Sequence, residues 1–212
     1  YDISLRVAEK QIERIEKVEE IELDDMQKTA VLEAARNGVL VITGGPGTGK
    51  TTTINAMIHF FENEGLEMRL AAPTGRAAKR MTEATGYEAQ TIHRMLELTG
   101  GPDDGVGSHF ERSEQNPLET DVIIIDEMSM VDVQLLHDLL RAIPPRRRLI
   151  LVGDPDQLPP VGPGYPFSDM LRSGTLPIVR LQTIFRQAQE SLIVMNAHRV
   201  NRGELPELRN VK

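Results

Sequence analysis

The chain has 212 residues, of which 24 are Lys or Arg and 32 are Asp or Glu, so its formal net charge is −8 at pH 7. A hydrophobic content of 40% and a charged content of 26% are typical of a globular protein and exclude a disordered chain. The chain has no Cys and no apolar run near the roughly 18 residues of a membrane span, so we expect a cytoplasmic protein without disulfides, thiolate zinc sites or membrane partners.

Helix and strand patterns alternate along most of the chain. At roughly 150 residues per domain, the length predicts one domain with extensions. In chain order, the predicted elements are helices over residues 5–22 and 24–35, a strand over 39–43, a helix over 49–63, a strand over 68–72, helices over 76–85 and 91–98, a strand over 122–126, a helix over 131–143, a strand over 149–152, a helix over 169–172, a strand over 178–181 and a helix over 190–200. Strands flanked by helices at this spacing predict an α/β fold, with a parallel sheet that helices cover on both faces.

Two segments of the pattern deserve separate interpretation. Residues 5–22 mix Ile and Val with many charged residues, which predicts an exposed leading helix with little apolar surface. Residues 100–116 are rich in Gly, Asp, Ser and Pro, which predicts a polar loop or a small hairpin.

Residues 44–51, Gly-Gly-Pro-Gly-Thr-Gly-Lys-Thr, match the phosphate-binding pattern GxxxxGK[ST]. The match follows a predicted strand and opens a predicted helix, as the pattern requires, which disfavours an incidental glycine-rich turn. Glycines let backbone N–H groups face the β-phosphate, Lys50 brings an ammonium to the β- and γ-phosphates, and Thr51 offers a hydroxyl to Mg²⁺. The sequence therefore predicts binding of a nucleoside triphosphate. The predicted nucleotide contacts of this loop are Gly45, Pro46, Gly47, Thr48, Gly49, Lys50, Thr51 and Thr52.

Two acidic residues, Asp126 and Glu127, end the strand predicted over residues 122–126. The carboxyl ends of parallel strands form the ligand crevice of an open sheet, so both carboxylates are expected to face the phosphates. We expect Asp126 to hold Mg²⁺ through water and Glu127 to orient and deprotonate the attacking water. An acidic pair that only caps the next helix is the alternative. Together with the phosphate loop, the pair predicts hydrolysis in addition to binding.

Further motifs resemble those of superfamily 1 helicases and follow in the same order. Leu-Val-Gly-Asp-Pro-Asp-Gln-Leu-Pro-Pro at residues 151–160 resembles motif III, Ala-Pro-Thr-Gly-Arg-Ala-Ala at residues 72–78 resembles motif Ia, and Ile-Phe-Arg-Gln at residues 184–187 resembles motif IV. With Asp-Met-Gln at residues 25–27, Asp-Glu-Met-Ser at 126–129 and Asn-Ala-His-Arg at 196–199, the set resembles the RecD-like DNA helicases. It is most similar to the stand-alone RecD type, which works without RecB and RecC, and the resemblance extends over residues 23–206.

The resemblance implies roles for three residues at the nucleotide. Gln27 would read the adenine edge, Gln157 would lie between the γ-phosphate and the nucleic acid, and Arg186 would bring a guanidinium to the γ-phosphate. The alternatives are that Gln27 is a polar helix residue, that Gln157 is a loop residue and that Arg186 forms a surface ion pair. The implied catalytic set is Lys50, Asp126, Glu127, Gln157 and Arg186.

The nucleic-acid contacts implied by the resemblance lie on two other segments. They are Pro73, Thr74, Gly75, Arg76, Thr91 and His93. Thr74, Gly75 and Arg76 open a helix whose N–H groups and side chains are able to hold strand phosphates, whereas a lone His is equally consistent with a structural role. Lys79, Arg80 and Arg94 either add to this surface or form a solvated face. An acidic chain cannot bind nucleic acid by overall charge, so a local groove is required.

The resemblance implies a RecA-like P-loop NTPase fold and an ATP-dependent DNA helicase of DNA repair and recombination. Such an enzyme uses ATP and Mg²⁺ to move 5′ to 3′ along single-stranded DNA and to separate duplex junctions. Residues 1–22 would end an upstream region, residues 23–187 would form the ATP-binding motor domain, and residues 188–212 would lead into a second RecA-like domain. Motifs V and VI and an arginine finger do not follow Arg186, so we expect a monomeric fragment that lacks this second domain.

Two alternatives remain open at this point. One is a module that binds ATP, Mg²⁺ and DNA but does not turn over by itself, and the other is a superfamily 1 RNA helicase or a relaxase-type helicase. An AAA-type ATPase is disfavoured because residues 153–159 do not resemble its sensor element. The sequence also departs from the family at Tyr165-Pro166-Phe167, where a polar and then an aliphatic residue are expected. The proline constrains the residue before it and can shift the start of the next helix.

Overall fold

The structure is a computed structural model and describes residues 4–101, 107–184 and 192–207. Its helices are α1 (Leu5–Val18), α2 (Asp25–Arg36), α3 (Lys50–Asn63), α4 (Gly75–Thr85), α5 (Ile92–Met95), α6 (Val133–Arg141), α7 (Pro166–Ser173) and α8 (Leu192–Asn201). Its strands are β1 (Val39–Gly44), β2 (Met68–Ala72), β3 (Ala89–Thr91), β4 (Leu98–Thr99), β5 (His109–Phe110), β6 (Val122–Ile125), β7 (Arg148–Gly153) and β8 (Ile178–Leu181). Among the described residues, no helix is both long enough and apolar enough to cross a membrane.

Six strands form one sheet in the order β3, β2, β6, β7, β1, β8, and each neighbouring pair is parallel. Successive side chains of a strand point to opposite faces. Ile124 and Ile150 therefore pack in the core that α1, α2 and α3 cover, whereas Ile123 and Leu149 pack in the core that α5, α6 and α7 cover. Strand β6 is buried along its whole length for this reason. The predicted α/β fold with a covered parallel sheet is confirmed.

Helix α1 is more deeply buried than its sequence predicts. Ala8, Ile12 and Ile15 are only 2–3% exposed and pack into the core shared with α2 and α3. Their spacing of three to four residues places them in one stripe along the helix. The expectation of an exposed helix is therefore wrong for this face, and the helix ends at Val18 instead of continuing to residue 22.

The segment after β3 also differs from the prediction. The helix expected over residues 91–98 ends at Met95, because Glu97 adopts a left-handed backbone with φ of 56°. The chain then enters an antiparallel pair in which Leu98 of β4 lies opposite Phe110 of β5. The small hairpin expected within residues 100–116 is thus present, but it begins earlier. Strand β3 was not predicted, because a run of three residues carries too little pattern.

The unusual Tyr165-Pro166-Phe167 segment forms the start of α7. Pro166 occupies the first turn of the helix, where a missing N–H costs no intrahelical bond. Helix α7 consequently begins at Pro166, three residues before the predicted start. Phe167 is fully buried beneath β7, so close to Gly153 that a Cβ atom there would lie 2.9 Å from its ring. The departure from the family pattern is therefore accommodated by core packing.

Candidate functional site

The phosphate loop connects β1 to α3 at the carboxyl end of the sheet. Gly47 and Gly49 have φ of 74° and 79°, a left-handed conformation that glycine adopts without strain. Thr48 closes the loop, since its hydroxyl donates to the Gly45 carbonyl at 2.7 Å. The N-cap of α3 is Gly49, which has no side chain to cap the helix, so the backbone N–H groups of its first turn, at Lys50 to Thr52, are suited to an anion. The left-handed glycines and the uncapped first turn agree with the predicted phosphate loop, and binding of a phosphate there stays a prediction.

Gln27 lies directly beneath this loop. Its side chain is 1% exposed, and its amide NH₂ donates to the Gly49 carbonyl at 3.1 Å. Its amide oxygen accepts from the Asp24 N–H at 3.0 Å, and the Asp24 carboxylate accepts from the Gln27 N–H at 2.7 Å. This capping box starts α2 and ties it to the phosphate loop. The contact with adenine stays a prediction, whereas the contact with the loop was not predicted.

Asp126 and Glu127 follow β6 at the same edge of the sheet. The Asp126 carboxylate accepts a hydrogen bond from the Glu127 N–H at 2.8 Å. Burial raises the pKa of Asp126, while that hydrogen bond and the charges of Lys50 and Arg80 oppose the rise. Burial and the neighbouring Asp126 charge likewise raise the pKa of Glu127, again against Arg80 and Lys50. For both acids, the positive charges of Lys50 and Arg80 therefore oppose the rise in pKa that burial causes.

Glu127 also has an unusual backbone. Its φ is 56° and its ψ is 38°, the left-handed conformation that non-glycine residues seldom adopt. Such a conformation persists only where the surroundings impose it, and it is enriched at functional sites. It ends β6 abruptly and turns the chain into the 3₁₀ turn Met128–Met130.

The loop after β7 contacts the segment that follows the two acids. The Ser129 hydroxyl donates to the Gln157 side-chain oxygen at 3.3 Å. Asp154, which is 4% exposed, holds the turn by accepting from the Asp156 N–H at 2.9 Å. Gln157 therefore contacts the segment that follows the acidic pair, and its position between the γ-phosphate and the nucleic acid stays a prediction.

The predicted nucleic-acid residues divide between a cavity and its rim. Pro73, Thr74 and His93 line an open cavity of about 950 Å³, together with the β4–β5 hairpin and the loop at residues 159–162. The Thr74 hydroxyl accepts from the Ala77 N–H at 3.2 Å and caps α4. Gly75 and Arg76 are exposed on the first turn of α4 and do not line the cavity.

The opposite wall of this cavity is formed partly by the hairpin. The His93 and Phe110 rings are 5.8 Å apart between centroids, with planes tilted by 46°. Thr91 caps α5, where its hydroxyl accepts from the Arg94 N–H at 3.1 Å. Thr91 itself does not line the cavity, but the two aromatic rings and the capped start of α4 do, and this open surface is suited to bases and phosphates.

Similarity to known proteins was found for the region that contains these sites. The family profile described as AAA domain matches residues 27–163. The ATP-dependent RecD2 DNA helicase of Deinococcus radiodurans is 41% identical over 184 residues, which cover 87% of this chain and 24% of that protein. The RecBCD enzyme subunit RecD of Mycolicibacterium smegmatis is 38% identical over 184 residues, covering 76% of this chain and 32% of that protein. The solved structure of Pif1 helicase from Candida albicans matches with a TM-score of 0.64 at 25% identity, covering 88% of this chain and 46% of that one.

This chain is a RecD-like member of the AAA domain family. The resemblance inferred from the motifs and their order is confirmed, and so is the RecA-like P-loop fold. The description AAA domain is broad. The RecD matches cover most of this chain and place the chain with the RecD-like proteins. The chain spans about a quarter to a third of the length of the two RecD relatives.

Helix α8 of this RecD-like chain contacts the phosphate loop, which the sequence interpretation missed. The His198 ring nitrogen Nε2 donates to the Pro46 carbonyl at 2.8 Å. The Asn201 side-chain NH₂ donates to the Asp156 carboxylate at 3.2 Å. An open cavity of about 420 Å³ lies between α8 and these two loops. Only the family motif at residues 196–199 could have drawn attention to α8, because local pattern carries no such long-range contact.

Arg80 is a further residue whose contact was not predicted. Its guanidinium lies 3.6 Å from the Glu127 carboxylate, so it contacts the acidic pair and is more than part of a solvated face. Arg186 lies outside the described residues, and its contact with the γ-phosphate stays a prediction.

Proposed function

We propose that this chain is the ATP-binding motor domain of an ATP-dependent DNA helicase that moves 5′ to 3′ on single-stranded DNA and opens duplex junctions. One observation supports this most directly. The phosphate loop, the Asp126 and Glu127 pair, the Gln157 loop and the Thr74 helix start all follow parallel strands of one sheet and meet at its carboxyl edge. A nucleotide and a strand would therefore bind at neighbouring places.

The nucleotide site holds the triphosphate of ATP in this proposal. The N-terminal turn of α3 and the Lys50 ammonium bind the phosphates. Within the described residues, no three His, Asp or Glu side chains cluster tightly enough to hold a metal alone. The Thr51 hydroxyl and the Asp126 carboxylate are hard oxygen donors that suit Mg²⁺, which takes its other ligands from phosphate and water. Bound Mg²⁺ would neutralise charge on the phosphates.

Hydrolysis would depend on Glu127 as the base. Its carboxylate accepts a proton from a water molecule whose oxygen bonds to the γ-phosphorus, while the bond from that phosphorus to the ADP oxygen breaks. Gln157, fixed next to Ser129, would respond to loss of the γ-phosphate and pass the change to the strand site. Arg186 would add positive charge as the transition state forms.

The strand would lie along the 950 Å³ cavity and the adjoining start of α4. Arg76 and the backbone N–H groups that follow Thr74 in the first turn of α4 would hold phosphates. Thr91 and His93 would contact the strand at the wall that the hairpin forms. The relatives are three to four times longer than the matched region, which supports a second RecA-like domain, joined in the same chain, that completes the ATP site. We propose that the protein is a monomer, because this second domain would be joined in the same chain.

The test is ATP turnover by the full-length protein with and without single-stranded DNA. The proposal requires a marked rise in turnover with DNA and displacement of a duplex strand from a substrate with a 5′ tail, but not from one with a 3′ tail. RNA of equal length and sequence at the same salt is the matched control, because the ribose hydroxyl is the difference. Equal and near-zero rates would leave a nucleotide-binding module, and preference for RNA would favour an RNA helicase.

A further inference from the structure

An ion pair joins the proposed strand-binding helix to the proposed catalytic base. Arg80 Nη2 lies 3.6 Å from Glu127 Oε1. Arg80 belongs to α4, the helix that Thr74 caps, and Glu127 follows β6. This ion pair therefore connects the proposed strand site to the proposed site of hydrolysis, and a motor has to couple these two sites.

Arg80 is placed to serve either site. It follows Arg76 by one helical turn, so the two guanidinium groups share a face of α4. Its side chain is 62% exposed, whereas that of Glu127 is 21% exposed. The cation is thus accessible to a strand phosphate near Arg76 without leaving its helix, while its carboxylate partner stays in the crevice.

The pair is also weak enough to be exchanged. An exposed ion pair with one long contact contributes little to stability, whereas an Arg fork matches phosphate geometry well. Two negative charges, Asp126 and Asp154, and two positive charges, Arg80 and Lys50, act on the Glu127 carboxylate. Once a triphosphate engages Lys50, Arg80 is the remaining cation of that set for the Glu127 carboxylate.

We propose that Arg80 is a positioning residue that holds Glu127 away from the attacking water until a strand phosphate takes its guanidinium. This inference rests on the proposed function and adds the route by which the nucleic acid stimulates hydrolysis. In the absence of a strand, the carboxylate is turned toward α4. When a strand phosphate binds Arg80, the carboxylate is released to accept the proton of the water.

The structure offers a clean variant for this idea. Helix α4 is stabilised by its Thr74 cap, by Gly86 at its end and by the buried side chains of Ala77, Ala78 and Met81. Arg80 is not among these groups, so Arg80→Ala is expected to leave the helix intact. Arg14 is an exposed residue of equal charge on α1, which makes Arg14→Ala the matched control.

The first experiment compares ATP hydrolysis by the full-length protein and its variants, with and without saturating oligothymidine. We expect Arg80→Ala to raise the DNA-free kcat at least threefold with unchanged KM for ATP, so that the stimulation ratio falls. Arg80→Lys is expected to restore part of that ratio, and Arg14→Ala to keep it. An Arg80→Ala protein with the wild-type ratio, or with equal losses in both states, overturns the inference. A wild-type protein without stimulation overturns the proposed function and this inference together.

The second experiment measures DNA affinity without nucleotide and is independent of catalysis. Glu127→Gln removes the negative charge that competes with a strand phosphate for Arg80. We therefore expect oligothymidine to bind at least twofold more tightly to the Glu127→Gln protein than to the wild type. That gain is expected to vanish when Arg80→Ala is added. If Glu127→Gln leaves the affinity unchanged, or if the gain persists without Arg80, the exchange of partners does not occur.

Discussion

Lys50 carries a positive charge at the start of α3, on the turn whose backbone N–H groups would face the phosphates in the proposed site. Replacing it by Ala removes a charge that matters most when negative charge moves onto the leaving phosphate oxygen. We expect Lys50→Ala to lower ATP turnover at least about a hundredfold. Turnover of the Lys79→Ala protein is the control for loss of one exposed charge, and a Lys50→Ala protein as active as that control contradicts the assignment.

Glu127 differs from Lys50 because its proposed role begins only after ATP is bound. Glu127→Gln keeps the size of the side chain but cannot accept the proton, so we expect turnover to fall at least about a hundredfold. Binding of a fluorescent ATP analogue with Mg²⁺ is expected to persist, since Asp126, Thr51 and Lys50 are unchanged. Hydrolysis at the wild-type rate in a single-turnover assay would assign the base to another residue.

At the scale of elements, the burial of one face of α1 predicts how much that helix contributes to stability. Ile12 is 3% exposed among α1, α2 and α3, whereas Val18 on the same helix is 67% exposed. Truncating a buried Ile to Ala costs about 2–5 kcal/mol of unfolding free energy. We expect Ile12→Ala to lose this amount in urea unfolding, and Val18→Ala to lose less than about 0.5 kcal/mol. Equal small losses would mean that α1 is a solvated appendage.

Helix α8 provides a second test at this scale. His198 binds the Pro46 carbonyl of the phosphate loop at 2.8 Å, so His198→Ala removes a contact between the two elements. We expect faster amide hydrogen exchange over residues 192–201 in that variant, because the helix opens more often without the bond. His93→Ala is the control, because His93 lines the strand cavity and not the cavity at α8. This variant is expected to leave the exchange of α8 unchanged.

These elements differ in how much of them could be predicted from sequence. Strands β1, β6 and β7 are continuous apolar runs because they are covered on both faces, and the phosphate loop is a local pattern, so all were predictable. The stripe of α1 was not recognised, because Ala8, Ile12 and Ile15 are interspersed with many charges. The contacts of Arg80 with Glu127 and of His198 with Pro46 join segments distant in sequence, and no local pattern encodes them.

At the scale of the whole molecule, the net charge of −8 requires that strand binding be local. Each phosphate contact contributes about 0.7 to the slope of log affinity against log salt for a single strand. Arg76 is exposed at the start of α4, and Arg14 is exposed on α1. We expect Arg76→Ala to weaken oligothymidine binding and to reduce that slope by about 0.7, because one counterion is no longer released. Arg14→Ala changes the net charge equally and is expected to change neither quantity. If both variants reduce the slope alike, overall charge governs binding and the start of α4 is not part of the strand site.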